Sequence, residues 1–268
     1  MNSWWKDVMN MEFRKILAYR SDFWITFLGQ MLIQLIVTIS LWQSVFESNQ
    51  VTMMQGLTLE MMALYYLVAN IGMRILWGEN IGFISREIYE GTFTRYLLYP
   101  LSFFQYKTIS YISYSLFYSI QLFIFYWLYQ MFFVSDPASF QKLYDLILGI
   151  FIFLLSSLLF LNMAFMVELI SLWADNVWTL MIMLRFFVTF FGGGFIPLNF
   201  LPLWAQEWLS WTPFPYLINL PVKTVLGLST QAEIFKGVAF ILGWTCFFAL
   251  VVQLIWMRGQ KRYTGVGI

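Results

Sequence analysis

Histidine is absent from the 268 residues, and cysteine occurs once, at Cys246. Without histidine the chain lacks the commonest general base and transition-metal ligand, so a Ser-His-Asp set and an HExxH zinc site are both excluded. One cysteine forbids an intramolecular disulfide and a CxxC pair, and Cys246, inside an apolar run, reads as a small buried hydrophobe. No GxxxxGK[ST] phosphate loop occurs, so the chain does not bind ATP in that way. Charge is scarce as well. Charged residues make up 11% of the chain, less than half the roughly 25% usual in a soluble domain. A net charge of +1 gives no reason to expect a nucleic-acid partner. The first twenty residues are interrupted by Lys6, Asp7, Glu12, Arg14, Lys15 and Arg20, and no small-residue cleavage site follows, so a signal peptide is not expected. No enzyme chemistry, cofactor or metal is expected of such a chain.

What fills the sequence is apolar surface. Hydrophobic residues account for 60% and aromatics for 21%, in long runs rather than alternating patches. Phe23 to Phe46 holds 24 uncharged residues, enough for about 36 Å of helix. A second span is expected from Leu57 to Trp77, with Glu60 and Arg74 near its ends and able to reach an interface. The third, Thr108 to Ser135, has 28 uncharged residues and stops at Asp136-Pro137. Further spans are expected at Leu146–Val167, Asn176–Ile196 and Gly237–Met257. Backbone polar groups at membrane depth need internal partners, and runs beyond twenty residues exclude a barrel of short alternating strands. The expected fold is an all-α polytopic membrane protein with six transmembrane helices.

Basic residues orient it. The N-terminal segment, the loop between spans two and three with its flanks, and the C-terminal tail together carry eleven lysines and arginines. The opposite side carries Lys142, Lys223 and Lys236 only. This bias predicts that both termini are cytoplasmic.

Three regions are not plain spans. Residues 1–20 place Phe13, Ile16, Leu17 and Arg20 at helical spacing among charges, the pattern of an interfacial helix or a frayed tail. Residues 78–105 form an amphipathic cytoplasmic loop, with Glu79, Arg86, Glu87, Glu90 and Arg95 among Ile81, Phe83, Ile84, Ile88 and Leu97, broken at Gly91 and ended by Pro100. Its balanced charge suits docking to another protein better than resting on anionic lipid. Between Gly192 and Pro221 lie five of the seven prolines, behind three consecutive glycines and among Trp204, Trp208 and Trp211. Prolines stop a continuous helix. Two short helical pieces dipping into the outer leaflet are expected over 198–221, the rival being a cap outside the membrane.

Polar groups inside spans are candidates for a path. Arg185, near the middle of the fifth span, is costly toward lipid and should face the bundle interior, a watery path or a partner. Gln30, Gln34 and Thr38 recur every four residues on one stripe, suited to helix contact or to lining a route. Asn70, Asn162 and the tyrosines at 111, 114 and 118 share that ambiguity. Any active transport would draw on an ion gradient or a separate ATPase.

Several segments in order carry a resemblance: YRSDFW at 19–24, IYEGTFTRYLLYPLS at 88–102, GGGFIPLNFLPLW at 192–204, PFPYLINLPVKTVLG at 213–227 and KRYTGVGI at 261–268. Together they resemble the permease subunits of ABC-2 type ABC transporters. The resemblance implies a membrane subunit of an ATP-driven exporter in a prokaryotic cell membrane. It implies work with a second permease copy or sister permease, above separate ATP-binding cassette ATPase subunits. Glu79, Arg86, Glu87, Glu90 and Arg95 become ATPase-coupling candidates. Gln30, Gln34, Thr38 and Arg185 become candidates for the translocation path, and residues 198–221 for an outer re-entrant segment. Lipids, polysaccharides or hydrophobic drugs are the substrates such a plan usually serves. An ion-coupled carrier and a non-transporting membrane scaffold are the alternatives.

Overall fold

The computed structural model describes residues 4–78, 84–98, 102–133, 140–174 and 177–261. Glu79, Pro100, Asp136-Pro137, Asp175 and the tail from Arg262 lie outside the described residues. Among those described there is no strand, only a single bridge between Met54 and Leu57. The fold is all-helical.

Chain order begins with α1 (Trp4–Ala18), α2 (Arg20–Asn49) and α3 (Leu59–Trp77). The short α4 (Ile84–Tyr89) and a 3₁₀ turn at Thr92–Leu98 lead into α5 (Phe103–Phe133). Then come α6 (Phe140–Glu168), with a 3₁₀ continuation at Leu169–Leu172, and α7 (Trp178–Phe191). After a 3₁₀ turn at Leu198–Phe200 come α8 (Leu203–Leu209), α9 (Phe214–Leu217) and α10 (Asn219–Val225), and last α11 (Gln231–Gly259).

Local chemistry sets several boundaries. Helix α2 ends where Gln50 turns left-handed at φ 51°. Helix α3 starts at Thr58, whose hydroxyl accepts the Met61 amide N–H. The expected last span begins at Gly237, but α11 starts six residues earlier. Thr230 and Glu233 form a capping box there, with the Thr230 amide donating to Glu233 Oε2 at 2.7 Å. The third and fourth spans also start earlier than their apolar runs, at Phe103 and Phe140.

Among the described residues, five helices are long and apolar enough to cross a membrane: α2, α3, α5, α6 with its 3₁₀ continuation, and α11. The expected fifth span is shorter. Helix α7 has 14 residues, about 21 Å, below the roughly 30 Å hydrocarbon thickness. Its end is set by Gly192–Gly194. Gly193 has φ +87°, and a Cβ there would stand 2.9 Å from the Tyr65 hydroxyl oxygen. Tyr65 donates to the Gly193 carbonyl and Tyr66 to that of Phe195, each at 2.8 Å, so the turn is fastened to α3.

Helices α3 and α6 form the centre. Val68, Ala69, Ile75 and Leu76 of α3 and Phe153, Leu159, Phe160 and Ala164 of α6 are fully buried. Gly72 admits the Phe153 ring; a Cβ there would sit 2.2 Å from Phe153 Cζ. The Tyr111 hydroxyl of α5 lies between the carbonyls of Leu76 and Ser157, joining α3, α5 and α6. Such hydrogen bonds and close small-residue contacts hold helices together where lipid is as apolar as the core.

The proline-rich stretch is more broken than the two pieces expected. Helix α8 exposes Leu203, Trp204 and Trp208, with Trp211 just beyond it. Helices α9 and α10 are instead buried, with Leu217, Ile218 and Val222 fully covered. Ser156 donates to the Tyr216 carbonyl at 2.8 Å, and Gly149 gives room to Val225. Cys246, expected to be buried, is exposed on α11.

Candidate transport cavity and coupling segment

Helices α2, α3, α5 and α7 line a half-open cavity of about 650 Å³. Gln30 and Gln34 line it from α2, Asn70, Arg74 and Trp77 from α3, Tyr118 from α5, and Arg185 and Thr189 from α7. Three of the four path candidates, Gln30, Gln34 and Arg185, are therefore brought together. Thr38 does not line it: one stripe carries all three α2 positions, but Thr38 lies about 12 Å beyond Gln30 along the axis. Met31, Ile33 and Phe195 supply apolar wall.

Arg74 is the lining residue that sequence reasoning placed elsewhere, as a side chain reaching an interface. It instead donates to Gln30 Oε1 and stands over the Phe27 ring, 5.1 Å from its centroid. Arg185 stands 5.7 Å from the centroid of Trp77. Both guanidiniums thus rest on aromatic faces, which hold the fork without using its N–H edges. Nothing in the spacing of Arg74 and Arg185, 111 positions apart, links them; the pairing is tertiary.

A second cluster gathers on α4 and its surroundings. Glu87 Oε1 accepts from the Tyr96 hydroxyl at 2.9 Å, from Lys107 Nζ at 3.1 Å and from the Arg95 guanidinium. Lys107 Nζ also stands 3.0 Å from Oε2. Glu87 and Lys107 are only 12% and 9% exposed. Burial, and next the adjoining Glu87 carboxylate, push the Tyr96 phenol above its ordinary range, so it stays a neutral donor. Arg86 and Glu90 behave differently: they pair with each other at 2.7 Å on the outer face, at 69% and 43% exposure. Ile84 and Ile88 are buried beneath them, and the chain breaks at Gly91, φ +70°.

Glu168 stands between the α4 segment and Arg185 of the cavity wall. This carboxylate, at the end of α6, is fully buried. Its Oε2 accepts the amide N–H groups of Ile84 and Ser85, at 2.8 and 3.3 Å, which begin α4. It is also within Coulombic reach of Arg185. Helices α6 and α7 pack against each other, which brings these two residues near one another across 17 positions of sequence. Glu12 of α1 is a further buried carboxylate, held by Lys15 at 3.1 Å and Ser110 at 3.0 Å. Helix α1 accordingly packs through Val8, Glu12 and Ile16, with Phe13 half-buried beside them and Leu17 exposed.

A helical membrane bundle with a polar cavity among its spans and a charged short helix at one end is the class these features define. The sequence profile of the ABC-2 family transporter proteins matches residues 32–267, and the chain belongs to that family. It thereby stands among the membrane components of ABC transporters, which associate with ABC ATPases. No curated protein and no solved structure matched the chain.

Proposed function

We propose that the chain is the membrane-spanning subunit of an ATP-driven exporter, moving an amphipathic or hydrophobic substrate along a path shared with a second permease subunit. The observation that carries this reading is the convergence of Gln30, Gln34 and Arg185 on one cavity, in a member of the ABC-2 family. In this reading α7 and the broken segment after it together make the sixth crossing. The outer re-entrant element runs over 198–221, α1 lies in the membrane surface, and both termini are cytoplasmic in a prokaryotic cell membrane. The α4 segment, with Glu79, Arg86, Glu87, Glu90 and Arg95, is the coupling element that meets the ATPase. ATP binding and hydrolysis in the partner bias two arrangements of the permease pair, and the permease itself performs no bond chemistry.

The test is purification of the tagged chain from its native membrane in a mild detergent. A stoichiometric ABC ATPase and a second permease copy or sister permease are expected, with transport that stops on ATP depletion. A chain that purifies alone, or transport that follows an ion gradient and ignores ATP, overturns the proposal.

A further inference from the structure

We propose that the cavity takes a neutral amphiphile whose carbonyl oxygens, in ester or amide groups along an apolar body, accept hydrogen bonds from Asn70 and Trp77. The inference deepens the reading of this cavity as a transport path and rests on it. Asn70, Arg74 and Trp77 line the cavity from α3 at spacings of four and three residues, one stripe of the helix. Two donors on that stripe, Asn70 Nδ2 and Trp77 Nε1, are out of water and have no hydrogen-bond partner among the described residues. An indole N–H can only donate, and a buried donor without an acceptor is costly, so the missing element is an acceptor. Both side chains are half-buried at the wall, and their χ2 torsions are soft, so each N–H turns onto an oxygen that enters.

The guanidiniums of the wall are already engaged within the fold. Arg74 donates to Gln30 Oε1, and Arg185 stands over Trp77 with the Glu168 charge in reach. Recognition therefore falls to neutral donors, which meet a carbonyl without burying a new charge. Water alone satisfies an N–H, but the space asks for more. About 650 Å³ falls within the few hundred to a thousand Å³ typical of small-molecule sites. Met31, Ile33 and Phe195 give it an apolar flank. Seven residues of helix set Asn70 and Trp77 about 10 Å apart along the axis, so one extended molecule with two carbonyls reaches both.

Binding to the purified full-length chain in nonionic maltoside micelles tests this with three probes. Dibutyl sebacate is a neutral diester whose carbonyls lie a comparable distance apart when extended, octadecane has similar length without oxygen, and dodecyl phosphate carries a charged head. Saturable binding of dibutyl sebacate is expected, with no saturation by octadecane and weaker binding of dodecyl phosphate. Trp77→Phe, which keeps a ring under Arg185, and Asn70→Leu should each weaken diester binding about five-fold, the scale of one neutral hydrogen bond. Without probe, both variants should hold or raise the thermal midpoint, since each removes an unmet polar atom. A purely structural role gives the reverse, a lower midpoint with unchanged binding, and overturns the proposal. Equal saturation by octadecane, or no effect of either variant on the diester, overturns the carbonyl contact. Dodecyl phosphate bound as tightly as the diester overturns the neutral head. The probe comparison uses the unaltered chain, so it decides even where a variant fails to fold. No ATPase is needed for any arm, so failure here leaves the exporter reading standing, and a missing ATPase leaves the binding result standing.

Discussion

Glu87 holds three donors on one carboxylate while almost out of water, so its substitution acts first on the segment's own fold. Removing one partner of a buried ion pair costs about 3–5 kcal/mol, because the other charge stays desolvated. Glu87→Ala is therefore expected to lower the thermal midpoint in detergent markedly, by stranding Lys107. Arg86→Ala removes an exposed pair worth roughly 0–1 kcal/mol, so the midpoint should hardly move. Its expected effect is on co-purification with the ATPase, which should fall. A midpoint that drops in Arg86→Ala, or stays put in Glu87→Ala, sinks this division between positioning and docking groups. Gln121 gives a prediction of opposite sign. It is buried in α5, and neither amide atom has a hydrogen-bond partner among the described residues. An unmet buried polar group costs about 1–3 kcal/mol, so Gln121→Met, close in shape, should raise the midpoint. A lower midpoint would show that the amide is satisfied by water or by a partner.

Elements followed the sequence where the apolar runs were long, and departed from it where a side chain outside the run sets the boundary. The start of α11 was written in Thr230 and Glu233, the first and last residues of a T-x-x-E pattern, yet the apolar run alone points to Gly237. Gly192–Gly194 were legible as a break, but their need was not. Only the fold shows that Gly193 faces Tyr65 and that the proline-rich pieces after it divide into an exposed α8 and a buried α9–α10. Arg74 and Glu168 were legible as charges at helix ends; that they meet a cavity and a helix start depends on neighbours 44 and 84 positions away. Two glycines separate these cases experimentally. Gly193→Ala forces a left-handed φ and a clash with the Tyr65 hydroxyl, so a loss of at least about 1–2 kcal/mol is expected. Gly243, in α11 with open space around its Cα, should gain up to about 1 kcal/mol on substitution by alanine. Paired thermal melts check both signs, and a stabilised Gly193→Ala chain would remove the argument for a required glycine.

At the scale of the whole molecule, helix directions and charge bias make one joint statement about the membrane. The C-terminal ends of α3, α6 and α11 and the N-terminal end of α5 gather with α1 and α4. Phe103 and Phe104 contact Trp256, Leu172 lies against Gly259, and Ser110 holds Glu12. That end holds Lys6, Arg14, Lys15, Arg86, Arg95, Lys107, Arg258 and Lys261, whereas the far end of the described chain holds Lys142, Lys223 and Lys236. Basic residues flanking spans stay in the cytoplasm, so the crowded end should face it. With Cys246→Ala as a cysteine-free background, two exposed positions mark the ends: Asn10 on α1 and Ser48 on α2. In intact cells a membrane-impermeant maleimide should label Ser48→Cys and leave Asn10→Cys untouched until the membrane is opened. Labelling of Asn10→Cys in sealed cells would invert the protein. The charged α4 segment would then lie on the face where no ATPase can reach it, and the coupling role argued for Arg86 and Glu90 would fall with the orientation.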